Sequence, residues 1–124
     1  MYSIEELGER WHQIFRILAA GPRRQTIGSL MEAPPDRTLS LPEAANMPDY
    51  RLDPEQLKHD LVHHHLPMMG QPGFIEWDQE PFSVKRGPNF EEVAAVIEAI
   101  ASYDDLPQQL RRGCHFFEEH GESS

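Results

Sequence analysis

At five candidate helix starts along this chain a short polar residue is followed, three positions later, by Glu or Gln. The pairs are Ser3 with Glu6, Ser40 with Glu43, Asp53 with Gln56, Asn89 with Glu92, and Asp105 with Gln108. At this spacing the first side chain accepts from an orphan backbone N–H and the second reaches back to the cap, so each pair marks a helix start. Pro54 strengthens the third start, because a residue in the first turn has no intrahelical use for its N–H. A sixth helix is expected to begin after Gly21-Pro22. Six starts in 124 residues leave little room for anything but helix, and the length suits one domain with one core.

Apolar periodicity fills in these helices. Leu7, Trp11, Ile14, Phe15 and Leu18 fall on one face of the first. The second, about 22–33, offers Ile27, Leu30 and Met31. The third, about 41–47, is short, with Leu41, Ala44, Ala45 and Met47. The fourth runs from Pro54 to about Met69. The fifth, about 90–102, aligns Phe90, Val93, Ile97 and Ile100, and the sixth, about 106–119, has Leu106, Leu110 and Phe117. Between the fourth and fifth the period changes. "GFIEWDQEPFSVKRG" holds aromatic and β-branched runs at 74–77 and 82–85 around a polar turn from Asp78 to Pro81, the pattern of a β-hairpin. Pro34-Pro35 and Pro48 mark loops.

The expected fold class is therefore mainly α with a small β-hairpin (α+β). A short helix, a connection, a longer helix and then a hairpin is the order of a winged helix-turn-helix, here with additional C-terminal helices. The connection from Pro48 to Leu52 is longer than the usual turn of about three to four residues. Residues 1–103 read as the winged helix-turn-helix domain including the fifth helix, and 104–124 as a C-terminal helix and frayed tail.

Charge narrows the function classes. There are 21 acids against 11 bases, a formal net charge of −10, and only Lys58 and Lys85 among the bases are lysine. An acidic, lysine-poor chain suits concentrated salt, where repulsion between acids is screened within a few Å. It argues against nonspecific binding to nucleic acid or membrane in dilute buffer. No apolar run approaches the roughly 18 residues of a membrane span, and the start "MYSIEELGERW" lacks the apolar segment of a secretory signal. Cys114 is alone, so no disulfide framework and no cysteine zinc site are expected, and a reducing cytoplasmic setting fits. No Gly-rich phosphate loop and no local Ser-His-Asp signature is visible. The acid pairs Glu5-Glu6, Glu91-Glu92 and Asp104-Asp105 suit helix starts, and Glu118-Glu119 suits a solvated face. No enzymatic activity, catalytic residue, cofactor or bound metal is expected.

The segment "KHDLVHHHLP", Lys58 to Pro67, holds four histidines. A wheel at about 100° per residue gathers Leu57, Leu61, Val62, Leu66, Met68 and Met69 on one face, with His65 at its middle. His65 is expected to be a core histidine whose ring nitrogens are satisfied locally, for instance by a backbone carbonyl. His64 lies at the opposite margin beside Asp60. His59 and His63 form an i,i+4 pair outside the apolar face. That spacing lets two imidazoles share a metal, and it equally suits a nucleic-acid contact or a solvated face.

The run "RWHQIFRILAAGPRRQTIGSLMEA" is similar to the first two helices of ArsR-like winged-helix regulators. "LVHHHLPMMGQPGFIEWD" resembles a group of such regulators common in halophilic archaea. There a helix with a Leu-x-His-x-His-Leu-Pro pattern leads through Gly and an apolar pair into the first wing strand. Leu61, His63, His65, Leu66, Pro67, Gly73, Phe74, Ile75 and Asp78 stand at matching positions, and the resemblance covers about residues 9–87. Met68-Met69 replaces the Lys-Leu usual after the proline, and the wing turn, "DQEP", is acidic. The resemblance implies a winged-helix transcriptional regulator, without supplying an operator, an effector or a sign of regulation.

A helix-turn-helix reads DNA with the exposed face of its second helix. Gln56, His59 and His63 lie on or near that face, and Gln and His are both able to contact base edges. Lys58 points inward, with its amine able to snorkel to an edge. Arg51 precedes the helix, and Lys85 and Arg86 end the wing; all three are candidate phosphate contacts. Arg23 and Arg24 suit either a backbone contact or a structural ion pair. The fifth helix is expected to pack on the first or to form a dimer seam, and a homodimer suits palindromic sites. The leading expectation is a sequence-specific regulator that binds double-stranded DNA as a homodimer in high salt. Its rivals are a winged helix given over to protein–protein contact, and a metal sensor using the histidines of the fourth helix.

Overall fold

The computed structural model describes residues 1–47 and 53–121. Its elements run α1 (Ile4–Leu18), α2 (Gly21–Glu32), β1 (Leu39–Ser40), a 3₁₀ turn (Glu43–Ala45), α3 (Pro54–Asp60), a π-helical turn (Leu61–His65), α4 (Leu66–Gly70), β2 (Ile75–Gln79), β3 (Phe82–Arg86), α5 (Phe90–Ala101), α6 (Gln108–Arg111) and α7 (His115–Gly121). The class is α+β: helices enclose one core, and a three-stranded antiparallel sheet of order β1-β3-β2 lies at its side. Among the described residues no helix is long and apolar enough to cross a membrane.

The capping pairs fare unevenly. Ser3 and Glu6 form the full reciprocal box at the start of α1. Asp53 caps α3 by accepting from the Glu55 N–H, while Gln56 turns forward to Asp60 rather than back. The other three boxes do not form. Ser40 is a strand residue opposite Ser83, and Asp105 precedes a helix that begins only at Gln108. Both pairs enclose a Leu-Pro step, Leu41-Pro42 and Leu106-Pro107. The residue before a proline is pushed out of the α region, so neither helix is able to start where the pattern places it. The predicted third helix shrinks to the single 3₁₀ turn, and β1 appears in front of it. Asn89 instead donates its amide to the Pro72 carbonyl at 3.0 Å, and Glu92 bonds Arg10.

The predicted sixth helix is two, parted where Gly113 takes a positive φ of 85°. Leu110 stays exposed, while Cys114, Phe116 and Phe117 enter the core against α2 and α5. Cys114, Phe116 and Phe117 of the C-terminal segment thus belong to the same core cluster as the rest. The hairpin is also tighter than its sequence pattern: its strands extend to Gln79 and Phe82, leaving only Glu80-Pro81 at the turn.

In α1 the buried residues are Ile14 and Ile17. The expected apolar face of Leu7, Trp11 and Phe15 is 47, 46 and 58% exposed, with Trp11 and Phe15 rings stacked at 5.8 Å. The helix packs on α2 and α5 with its Ile14–Ile17 edge, and the described residues leave the neighbouring stripe open.

Arginines tie the helix ends to one another. The last carbonyls of a helix have no intrahelical donor, and they carry the negative end of its dipole. At the end of α1, Arg23 donates to the Arg16 carbonyl and Arg24 to that of Leu18. At the end of α2, Arg86 donates to Leu30 and Ala33. After α5, Arg111 reaches Ala101 at 2.7 Å, Tyr103 at 2.6 Å and Phe117 at 3.3 Å. Arg10 donates to Pro72, just past α4, while pairing with Glu92 of α5 at 2.7 Å.

Arg111 is the most buried of these, at 3% exposure. Arg111→Met keeps the bulk and leaves three carbonyls without their donor. The substitution is expected to cost roughly 2 kcal/mol, read as a lower urea midpoint at unchanged denaturant slope.

Candidate nucleic-acid interface

The histidine segment lies on a continuous helical run built from α3, the π-helical turn and α4. The cause of the π turn is local. Pro67 has no N–H to donate, and its ring would clash with the carbonyl four residues back in a regular helix. Just before it the run widens, and the Leu66 N–H donates to the Leu61 carbonyl, five residues back. The buried side chains record the same event. Leu57, Leu61, Leu66 and Met69 face the core, at spacings of four, five and three.

One extra residue in a turn rotates everything beyond it by about 100°. That rotation carries Leu66, expected at the edge of the apolar face, to full burial, and it moves His65 off the centre to a half-buried position. His65 is satisfied, but not by a carbonyl. Its Nδ1 lies 2.8 Å from an Nη of Arg23, the same arginine that caps α1. A guanidinium only donates, so this ring nitrogen accepts and carries no proton. Burial first, and then the Arg23 charge, push His65 down to about 4.

The outer face of the run is polar. Gln56, Lys58, His59, His63 and His64 are exposed. The His59 and His63 rings face each other at 4.5 Å between centroids, and the His64 ring lies 5.2 Å from that of His65. Gln56 donates to Asp60 at 2.9 Å. Lys58 does reach an edge: its Nζ sits 5.7 Å above the Phe82 ring, at the start of β3. This contact links the first half of the run to the tip of the hairpin.

On the hairpin, Lys85 is exposed and stands opposite Glu76 in the strand register. Asp78 closes the turn by accepting from the Gln79 and Glu80 N–H groups at 2.8 and 3.3 Å, which gives one wing acid a structural use. Arg86 has a structural use. Its guanidinium caps α2, lies 4.7 Å above the Phe90 ring and faces Glu91 at 3.7 Å. Arg23 and Arg24 are held in the same way, by carbonyls rather than by the ion pair weighed for them. Arg51 lies outside the described residues.

The structure therefore leaves Gln56, His59 and His63 exposed on one helical run, with Lys58 reaching from the same run to the hairpin that carries Lys85. The sequence reading did not find the cluster of Glu32, His115 and Glu119 between α2 and α7, since its members are far apart along the chain. Only the i,i+4 spacing of His115 and Glu119 hinted at it.

No protein family, curated protein or solved structure matches this chain.

His65 sets a pH dependence. In the unfolded chain it titrates near 6.5, and in the folded chain near 4. Above that window it is neutral in both states. Within it the unfolded chain takes up the proton and the folded chain does not, so this group's contribution is lost as pH falls. His65→Gln keeps an acceptor for Arg23 and cannot charge. Between pH 6.5 and 4 the wild type is expected to lose stability faster than the variant, while the two stability curves run parallel above about pH 7. Parallel curves over the whole range would show that Arg23 does not hold His65 neutral.

Proposed function

We propose that this protein is a DNA-binding transcriptional regulator of winged-helix type, ArsR-like in arrangement and working as a homodimer in high salt. One observation carries the reading. The chain runs from two helices through a short strand and a helical turn to a longer helix and a hairpin, and the short strand β1 pairs with β3 of that hairpin. The longer helix turns Gln56, His59 and His63 outward beside the hairpin, as a reading helix beside a wing. In this arrangement Gln56 and the imidazoles address base edges in the major groove, while Lys58 and Lys85 meet phosphates.

The homodimer rests on α1. Ile4, Leu7, Trp11 and Phe15 form an exposed apolar stripe on that helix. Large apolar side chains in one exposed row mark an interaction surface, and a two-fold dimer covers the same stripe twice. Trp11→Glu is expected to convert a dimer into a monomer in sedimentation velocity while the circular dichroism stays helical.

A second reading has support of its own. The hairpin carries Glu76, Asp78 and Glu80, all exposed, and an acidic wing fits a basic protein partner better than it fits DNA.

A mobility-shift assay with fragmented genomic DNA from the source organism in molar KCl separates the two. A specific complex is expected, and His63→Ala is expected to weaken it about tenfold with unchanged melting. The dependence on salt should be shallow. With Lys58 and Lys85 as the described phosphate contacts, log K should fall with log salt at a slope of about −2 per protomer. Absence of any complex from a folded dimer would favour the protein-partner reading.

A further inference from the structure

The second place where chemistry-bearing side chains converge lies on the far end of α2, away from the reading helix. Its position follows from packing. Cys114, Phe116 and Phe117 are buried and draw α7 onto α2. The approach is close: a Cβ on Gly28 would come within 2.9 Å of the Phe116 Cβ, so only glycine lets the two helices meet here. Gln25 then fixes the start of α7 by accepting from the His115 N–H at 3.0 Å. These contacts set His115 and Glu119, one turn apart on α7, against Glu32, the last residue of α2.

His115 Nδ1 makes a long hydrogen bond of 3.4 Å to Glu32 Oε1 and stands 3.6 Å from Glu119 Oε1. Good N–H···O bonds cluster near about 2.9 Å, so neither contact is tight. The same spacing suits a bound ion. Around a tetrahedral ion with metal–nitrogen and metal–oxygen bonds of about 2.0–2.2 Å, neighbouring donor atoms stand about 3.3–3.6 Å apart. All three donor atoms lie within 4.8 Å of one another. The carboxylates crowd each other: Glu32 is pushed up by burial and by Glu119, and His115 is pushed up chiefly by Glu32. Two carboxylates and one neutral imidazole bring two negative charges, which a divalent cation balances.

We propose that Glu32, His115 and Glu119 form a three-ligand site for a divalent transition-metal ion, with zinc the ion best suited to this donor set. One imidazole with two carboxylates selects a borderline ion over calcium or magnesium, which take oxygen donors alone. The side chains are accessible, with His115 half exposed, so the ion enters from solvent and solvent completes its coordination. Its effect is to clip α7 to α2. The site is independent of the proposed DNA contact, and it uses none of the histidines on the reading helix.

The test is a titration of chelator-treated protein with Zn²⁺ alone, followed by calorimetry and thermal melting. One Zn²⁺ per chain is expected, with proton release as His115 gives up its proton, and a melting temperature raised by several degrees at saturation. His115→Ala and Glu119→Gln should each abolish the stoichiometric binding and the shift, with the metal-free circular dichroism unchanged. Should His115→Ala fail to fold, Glu119→Gln decides alone, since its side chain is half exposed. The double variant His59→Ala/His63→Ala should bind as the wild type does. No stoichiometric binding to the wild type overturns the site, as does binding that survives Glu119→Gln or is lost with His59 and His63. DNA binding is not read in this experiment, so its failure leaves the regulator proposal to its own assay.

Discussion

The fold depends on arginine side chains that close the carboxyl ends of helices in other parts of the chain. A short helix packed in a small core exposes its last carbonyls to a low-dielectric surface, and an unmet acceptor there costs free energy. The guanidinium meets this need better than an ammonium, since its planar fork reaches two or three carbonyls at once and stays charged. Arg23 and Arg24 close α1, Arg86 closes α2, Arg10 meets the turn after α4, and Arg111 closes α5. Two of these arginines join elements distant in sequence. Arg86 ties the base of the hairpin to α2, and Arg10 ties α1 to the α4–β2 turn and to α5. The core supplies cohesion, and these links set how the helices lie relative to one another.

Such links explain the composition in a way the sequence alone does not. The excess of arginine over lysine reads, in isolation, as a sign of a salt-adapted surface. In the structure five of the eleven bases, Arg10, Arg23, Arg24, Arg86 and Arg111, are held by carbonyls of the fold. His65 is tied to this set, because the guanidinium that caps α1 is the one that meets its ring. The surface is accordingly more negative than a count of acids and bases spread evenly over it would suggest.

Helices and hairpin were legible in the sequence because their signals are local: Ser3 with Glu6, Pro54 at a first turn, the aromatic and β-branched runs on either side of Asp78–Pro81. What was not legible depended on a residue overriding the local pattern, or on contacts across the chain. Leu41 and Leu106 each precede a proline, so two well-spaced capping pairs start no helix where they stand. Strand β1 has only two residues, too short for a period, and exists through its partners on β3. Trp11 and Phe15 have the spacing of a core face, yet periodicity says only that a face is apolar, not that this chain covers it. At the candidate interface a locally satisfied His65 was legible, while its half-buried position and its partner were not. A wheel assumes one angle per residue, and Pro67 breaks that assumption at the turn where the histidines cluster.

The π turn and the captured arginines bear together on how the outer face of the reading helix would work. On the proposed reading, a protein in molar salt gains little from phosphate neutralisation, because counterion release and Coulomb attraction both shrink there. An interface built on lysine and arginine would lose most of its affinity under those conditions. On the same reading, Gln56, His59 and His63 would contribute hydrogen bonds, whose strength depends on distance and direction more than on ionic strength. Direction in turn depends on the rotation of the helix. The extra residue in the π turn sets the rotation of the second half, and the burial of Leu61 and Leu66 on either side of it holds that rotation in place. The proline that disturbs the helix thus also determines which way His63 points relative to His59, and the shape of the exposed imidazole pair is fixed by the core beneath it.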